Sequence, residues 1–227
     1  MASSSHAKSD QATSDCTQYD AVVVGAGFAG LYMLYRLRGM GLSVRVYDAA
    51  EGVGGTWFWN CYPGARCDVE SVEYSYQFSD ALQQEWEWTE RYASQPEILS
   101  YIEHVADRFD LLRDVSLSTR ITLAHFDEQT ERWGIETAEG DVVSAKYFIL
   151  AAGPLSSPFI PDIPGKENFA GPLLHTGQWP KKNIDFTGKK VGVIGTGSSA
   201  VQCIPMIAEQ AERLTVFQRS ANYTVPA

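Results

Sequence analysis

The fifteen residues 54–68 combine side chains and turns that suit a loop folded against a flat aromatic ligand. Two adjacent glycines allow close backbone approach, and the consecutive aromatics 57–59 could stack on a planar ring. A Pro-Gly turn would then aim Arg66 and Asp68 inward. We call this stretch the aromatic loop. Taken alone, it is equally compatible with a purely structural loop beneath an aromatic lid.

A glycine fingerprint precedes the aromatic loop, in the setting that dinucleotide binding requires. The pattern G-x-G-x-x-G at 25–30 follows a β-branched run at 19–24 and opens a predicted helix at 31–38. Asp48 ends the next predicted strand, 21 residues after Gly27, where an acid accepts hydrogen bonds from ribose hydroxyls. The glycines permit the tight turn and close packing, and the helix amides would hold the phosphates.

A second fingerprint lies near the other end of the chain. The pattern at 195–200 follows a predicted strand at 190–194 and has the permitted alanine in third place. Counting 23 residues from the first glycine of each fingerprint leads to Asp48 in one case and to Gln218 in the other, followed by Arg219. An acid repels a ribose 2′-phosphate, whereas an arginine pairs with it. The first site therefore suits FAD or NAD and the second NADP, unless Arg219 is a surface residue without consequence.

The intervening segments complete an α/β pattern. Alternating aromatics at 70–88 favour an extended or loop segment, and a capping box at 94–97 opens a helix that ends near Phe109. Short strands are predicted at 121–126, 132–137, 142–144 and 147–151, with a hairpin turn at 139–141. A β-meander that returns to the parent sheet is typical of flavoprotein FAD domains. The fold class is thus α/β with two Rossmann-like dinucleotide-binding domains.

These elements predict four regions along the chain. They are a disordered leader at 1–18, an FAD-binding domain at 19–153, an interdomain linker at 154–189 and the first part of an NADP-binding domain at 190–227. The linker is assigned because four prolines fall between positions 154 and 164.

Composition excludes several classes of partner. A net charge of −10 argues against nucleic acid and against anionic membrane surfaces, because both are bound through clustered Lys and Arg. The leader has no apolar core that would make it a signal peptide. The four cysteines show neither C-x-x-C spacing nor a His/Cys cluster, so we expect no metal, free thiols and a cytoplasmic protein.

Two dinucleotides in one protein suggest hydride transfer from NADPH to FAD, and the next question is where the electrons go. A disulfide reductase would place a cysteine pair directly after the glycines of the aromatic loop. Here Trp57 stands at the first such position, and Cys61 and Cys67 are separated by five residues. Oxygen is therefore the more plausible acceptor.

Four motifs in register resemble those of the Baeyer-Villiger monooxygenases, particularly the phenylacetone and steroid monooxygenase branch. Between the two fingerprints lie Gly-Gly-Thr-Trp at 54–57 with Tyr-Pro-Gly at 62–64 and Asp68, and then Phe-x-Gly-x-x-x-His-x-x-x-Trp-Pro at 169–180. The resemblance covers residues 19–227. It implies an enzyme that uses FAD, NADPH and O2 to insert one oxygen atom next to a ketone carbonyl, through a C4a-peroxyflavin, giving an ester or lactone.

The resemblance also implies cofactor contacts. Those to FAD would come from Gly25, Gly27, Phe28, Gly30, Asp48, Thr56, Trp57, Phe58, Trp59, Asp68, Tyr74 and Ile121. Those to NADP would come from Arg66, Cys67, Asp68, Thr196, Gly197, Ser198, Ser199, Ala200, Val201, Gln202, Arg219 and Ser220.

The resemblance further implies catalytic roles for Asp68 and Arg66, with Asp68 orienting a main catalytic arginine expected beyond Ala227. His175 and Trp179 would belong to a linker that couples cofactor binding to domain movement. The remainder of the same enzyme is therefore an expected partner. Two alternatives stay open: a flavin monooxygenase that oxygenates sulfur or nitrogen, and a nucleotide-binding module without activity of its own.

Overall fold

The computed structural model describes residues 16–223, and the elements fall into two sheets. Most of the predicted leader lies outside the described residues, as do the last four residues of the predicted NADP-binding domain. The first strand begins at Thr17, two residues earlier than predicted. Within residues 16–223, no helix has the length and apolar character that a membrane crossing requires.

The described part of the chain contains eight strands and five α-helices. They are β1 (Thr17–Val24), α1 (Phe28–Gly39), β2 (Val44–Tyr47), α2 (Thr56–Trp59), α3 (Asp80–Glu85), α4 (Gln95–Arg108), β3 (Val115–Ser116), β4 (Ile121–Asp127), β5 (Arg132–Thr137), β6 (Val142–Leu150), β7 (Lys190–Ile194), α5 (Ser198–Ala208) and β8 (Arg213–Phe217). Between β6 and β7 the chain has only short 3-10 turns, at Lys166–Asn168 and Thr176–Gln178.

The larger sheet confirms the predicted fold class and the β-meander. Its strand order is β3-β2-β1-β6-β5-β4, with β3, β2, β1 and β6 parallel and the meander β4-β5-β6 antiparallel. The central strand β1 is buried on both faces, since Val22 packs into one apolar cluster and Ala21 and Val23 into another. That two-sided burial explains the continuous β-branched run in the sequence.

Helices α1 and α4 cover one face of this sheet. Ile98, Ile102 and Val105 of α4 lie fully inside, at the helical spacing that the sequence predicted. The hydroxyl of Tyr101 accepts a hydrogen bond from the backbone amide of Tyr76 at 2.9 Å. The helix is thereby fixed to the aromatic segment that follows the aromatic loop.

The second sheet pairs β7 with β8 in parallel, with α5 connecting them. Its apolar core is shared with the aromatic loop, because Tyr62 and Ala65 pack with Phe186, Cys203 and Ile207. The units formed around the two sheets are therefore joined by side chains and not by the linker alone. The exact domain boundaries stay predictions.

Three predictions about local structure were wrong. The strands predicted at 142–144 and 147–151 form the single strand β6, because Ala145 and Lys146 continue the alternation of buried and exposed positions. The segment 70–88 contains helix α3, whose N-cap Ser79 accepts a hydrogen bond from the amide of Leu82.

The third concerns the capping box before α4. Ser94 makes no side-chain cap there, and Glu97 instead accepts a hydrogen bond from the amide of Thr89 at 2.7 Å. The spacing of Ser94 and Glu97 matches a capping box, but the Glu97 carboxylate binds the amide of Thr89, eight residues earlier, and not that of Ser94.

Gly30 lets α1 lie against the turn that precedes it. A Cβ atom at this position would lie 1.8 Å from the carbonyl oxygen of Gly25, which is far inside van der Waals contact. Gly39, at the other end of the same helix, has open space where its Cβ would point.

We predict that Gly30→Ala lowers the free energy of unfolding by about 3 kcal/mol, because helix and turn must separate to admit the methyl group. The matched control Gly39→Ala should leave the stability unchanged or raise it by up to about 1 kcal/mol, because alanine is the better helix former. Urea unfolding followed by circular dichroism measures both. Equal stabilities of the two variants would contradict the close packing at Gly30.

Candidate functional site

The first glycine turn connects β1 to α1 at the carboxyl edge of the parallel strands. Gly25 has a φ of +107°, and its amide donates to the carbonyl of Tyr47 at 2.8 Å. A Cβ there would lie 2.4 Å from the carbonyl oxygen of Ala151. Helix α1 begins after Gly27, with no acid in its first turn and, among residues 16–223, no side chain capping it. Its first amides are thus available to an anion.

Asp48 binds the backbone of this turn. Its Oδ2 accepts a hydrogen bond from the amide of Ala26 at 2.6 Å, and its Oδ1 accepts one from the amide of Ala50 at 2.8 Å. Sequence reasoning assigned the acid to ribose and missed this role. Each carboxylate oxygen keeps a second acceptor position, so the ribose contact stays a prediction that the geometry permits. The carbonyl of Asp48 also accepts from the amide of Thr119, which places Ile121, at the start of β4, near the acid.

The aromatic loop rests directly on the first glycine turn. The amide of Gly54 donates to the carbonyl of Ala26 at 2.9 Å. A Cβ at Gly55 would lie 2.9 Å from the Cα of Gly27, and both loop glycines have positive φ, 126° at Gly54 and 55° at Gly55. Only glycine permits this approach of two backbones. The contact places the short helix α2, which includes Thr56, beside the first amides of α1.

The three aromatics of α2 have different surroundings. Trp57 is only 7% exposed, and its indole Nε1 donates to the hydroxyl of Tyr74 at 3.1 Å. The Tyr74 ring lies edge-on to Trp57 at 5.8 Å and to Phe28 at 5.0 Å. This favours the structural alternative for Trp57.

The other two aromatics of α2 face the linker. Phe58 is half-buried, and Trp59 is 41% exposed. The Nζ of Lys181 lies 3.7 Å from the centre of the Phe58 ring and donates to the carbonyl of Phe58. Sequence reasoning missed Lys181, whose only signal is its position directly after the Trp-Pro motif.

Residues 66–68 continue the loop as an extended segment with alternating exposure. Arg66 and Asp68 point outward, and Cys67 is buried between them. The guanidinium of Arg66 pairs with Glu90 at 2.8 Å, and the amide of Cys67 donates to the carbonyl of Ala93 at 3.0 Å. Burial raises the pKa of the Cys67 thiol, which disfavours a reactive thiolate there. The structure thus brings Arg66 and Asp68 to one surface, and their catalytic roles stay predictions.

The second glycine turn has the same backbone design in a more open setting. Gly195 has a φ of +106°, and its amide donates to the carbonyl of Phe217 at 2.9 Å. A Cβ at either Gly195 or Gly197 would meet nothing within 4 Å. In the described part of the chain no side chain caps α5, and its first turn contains no acid. The predicted contacts Ser198, Ser199, Ala200 and Val201 form that first turn.

The segment after β8 lies at the same edge of the second sheet. Ile194, the last residue of β7 before the second glycine turn, pairs with Phe217, the last residue of β8. Arg219 therefore lies two residues beyond the end of β8 that is next to this turn. The amide of the Gln218 side chain donates to the carbonyl of Ser220 at 3.0 Å, and both Arg219 and Ser220 are exposed. The side chain of Asn222 donates to the carbonyl of Thr196 at 2.6 Å. This segment is therefore tied to the second glycine turn, where a ribose 2′-phosphate is predicted.

The predicted linker residues have ordinary structural partners. The Nδ1 atom of His175 accepts a hydrogen bond from the amide of Gly177 at 3.1 Å. Trp179 packs against Phe186 with ring centres 6.3 Å apart, and its carbonyl lies 3.8 Å from the Sγ of Cys61. These contacts place the Trp-Pro motif on the core shared by the two units. A role in domain movement stays a prediction.

Comparisons with known proteins place this arrangement among flavin enzymes. The family model described as pyridine nucleotide-disulphide oxidoreductase matches residues 22–226. A phenazine N-monooxygenase of Lysobacter antibioticus is 50% identical over 214 residues, which are 94% of this chain and 39% of that protein. A Baeyer-Villiger monooxygenase of Pseudooceanicola batsensis is 49% identical over 209 residues, 92% of this chain and 38% of the relative.

A solved structure described as oxidized steroid monooxygenase bound to NADP superposes with a TM-score of 0.89 at 62% sequence identity. The match covers 93% of this chain and 40% of that one. The chain thus spans about two fifths of the length of the relatives that it matches.

We predict that Asp48→Asn lowers the free energy of unfolding by about 1–3 kcal/mol. The asparagine side chain has only one acceptor oxygen, so one of the two backbone N–H groups that Asp48 binds would face the NH2 group of the asparagine. Asp127→Asn is the matched control, since Asp127 also accepts from an amide two residues on, that of Gln129, but is exposed at the end of β4. Its effect should stay within about 0.5 kcal/mol. Urea titration compares them, and equal losses would show that Asp48 does not hold the turn.

Proposed function

We propose a function for this chain, which belongs to the pyridine nucleotide-disulphide oxidoreductase family. Its resemblance to the Baeyer-Villiger monooxygenases is confirmed. It supplies the two cofactor sites of an FAD- and NADPH-dependent monooxygenase. The enzyme inserts one oxygen atom of O2 next to a ketone carbonyl and releases an ester or lactone. The observation that carries this proposal is the aromatic loop in contact with the first glycine turn and with α5, the helix that follows the second glycine turn.

The first site fits FAD. The uncapped start of α1 can receive a pyrophosphate, while the amide of Ala26 is held by Asp48, whose oxygens keep further acceptor positions for ribose. FAD, when bound, takes a hydride from NADPH and passes electrons to O2. Thr56, Phe58 and Trp59 of the aromatic loop would then pack against the flavin. Trp57 would support the loop through its hydrogen bond to Tyr74.

The second site fits NADP. The open turn at Gly195–Gly197 would receive the pyrophosphate, and Arg219, two residues after β8, would pair with a 2′-phosphate. Arg66 and Asp68 lie on the loop between the sites. In the proposed enzyme Asp68 orients a further arginine, and that cation would stabilise the negative charge developing on the oxygen atoms of the reaction.

The thiols of this chain support an oxygenase over a disulfide reductase. Position 57 is a buried tryptophan, as sequence reasoning noted. Cys61 faces the carbonyl of Trp179, whereas the Sγ of Cys67 accepts from the amide of Val69 at 3.4 Å. The two sulfur atoms thus have different partners and do not form a redox pair. All four cysteines are free, which supports a cytoplasmic location as part of the proposal.

Exposed apolar side chains support the remainder of the same enzyme as a partner. They lie at the ends of strands from both sheets, with Leu150 69%, Ile194 69% and Phe217 58% exposed. Large apolar residues at neighbouring strand ends are usually covered by other polypeptide. A protein longer than residues 1–227 would supply that cover and the ketone pocket.

One observation favours a second candidate function. The relative that is a phenazine N-monooxygenase is as similar to this chain as the Baeyer-Villiger relative is. The two cofactor sites do not distinguish nitrogen or sulfur oxygenation from attack on a ketone, since both need reduced flavin and O2. The binding module without activity remains the alternative for residues 1–227 in isolation.

The complete enzyme should be incubated with NADPH, 18O2 and matched panels of ketones, sulfides and aromatic amines. We expect esters or lactones carrying one 18O atom, detected by mass spectrometry, with a lower rate on the other panels. Preferential oxidation of sulfides or amines would support the second candidate. NADPH consumption without any oxygenated product would contradict both.

We predict that Arg219→Ala raises KM for NADPH about 10-fold or more, because a charge-assisted hydrogen bond to the 2′-phosphate is lost. KM for NADH, which lacks that phosphate, should change little. Arg213→Ala is the matched control, since Arg213 is also exposed and lies at the opposite end of β8. Steady-state NAD(P)H oxidation measures these constants. An equal rise for both nucleotides would exclude pairing of Arg219 with the phosphate.

A further inference from the structure

The side chain of Gln202, on α5, makes nearly all of its possible hydrogen bonds with the aromatic loop. Its Oε1 accepts a hydrogen bond from the hydroxyl of Tyr62 at 2.8 Å and one from the amide of Arg66 at 3.3 Å. Its Nε2 donates to the carbonyl of Arg66 at 3.0 Å. One glutamine thus holds both backbone polar groups of Arg66.

The loop is also pressed against α5 by packing. A Cβ at Gly64 would lie 2.4 Å from the carbonyl oxygen of Gln202 and 2.9 Å from the Cγ of Met206. Ala65 packs beside Cys203, one residue after Gln202. Loop and helix therefore move together unless these contacts break.

The same contacts lie one helical turn from the start of α5. Ser198 is the first residue of α5, and Gln202 follows four residues later on the same helix. The Tyr62 hydroxyl therefore binds a side chain one turn from the segment that would receive the pyrophosphate. Burial raises the pKa of that hydroxyl. Because Tyr62 stays protonated at neutral pH, its hydroxyl is a lasting donor to Gln202.

We propose that Gln202 is a positioning residue that couples nucleotide occupancy at the second glycine turn to the loop segment carrying Arg66 and Asp68. The inference rests on the proposed NADP site. It changes the role predicted for Gln202 from the sequence, because only one N–H of its amide is left for a ligand. A nucleotide that orders the start of α5 orders the loop through this side chain, and the loop affects nucleotide affinity in return.

The test is hydrogen–deuterium exchange of the complete, FAD-loaded enzyme with and without saturating NADP+, read on peptides covering 62–68 and 195–202. In the natural protein NADP+ should slow exchange in both peptides, by about 5-fold or more at 62–68, the lower end of typical coupling. In Gln202→Ala the slowing should persist at 195–202 and be lost at 62–68.

Two further variants keep the test decisive. Gln210→Ala is the matched control. The side chain of Gln210 also accepts a hydrogen bond from a backbone amide, that of Phe186 at 3.3 Å, but makes none with the loop. It should behave like the natural protein. Tyr62→Phe removes one hydroxyl, keeps the ring in the shared core and should weaken the coupling partly, so a folding failure of Gln202→Ala would not end the test.

The outcomes separate the inference from the proposed function. Protection at 195–202 with equal protection at 62–68 in the natural protein, Gln202→Ala and Tyr62→Phe would overturn the coupling and leave the NADP site standing. Absence of protection in both peptides of the natural protein would overturn the NADP site and the coupling with it.

Discussion

The contact of two glycine backbones, at Gly27 and Gly55, is the constraint on which the candidate site depends. With no side chains between them, the aromatic loop lies directly on the turn that opens α1. From this contact the loop continues to α5, against which its residues 62–66 lie. A side chain at either glycine would lift the loop from the first turn and shift its far end against the second unit. The position of the loop between the two units therefore depends on this contact at one end and on the packing of residues 62–66 against α5 at the other.

The fold and the glycine turns could be predicted from the sequence because their signals are local. A β-branched run, a G-x-G pattern and a helical apolar period each lie within about ten residues, and their steric causes are independent of context. The same holds for the meander, whose Glu-Gly-Asp turn contains Gly140 at a φ of 92°. Helix α3 was missed although Ser79 gave a cap signal, because the surrounding aromatics dominated the interpretation.

The side-chain roles could not be predicted, because each depends on a partner that no sequence motif specifies. Asp48 binds the amide of Ala26, Glu97 binds that of Thr89, and Gln202 binds Arg66, which is 136 residues away. A motif states which residue type stands at a position, whereas the final hydrogen bond depends on which buried polar group would otherwise lack a partner. Trp57 illustrates the point, since the motif specifies the tryptophan but not the burial of its indole against Tyr74.

The two turns share one backbone design but differ in what surrounds them. At the first, Ala151 and Gly55 lie so near that added atoms would collide; at the second, the positions beyond Gly195 and Gly197 are empty. The first turn therefore tolerates no side chain at Gly25, because an added atom would displace Ala151 from its place beside β1. The second turn needs glycine at Gly195 for its backbone angle alone, so Gly197, whose φ is negative, is the position at which its sequence is free to vary.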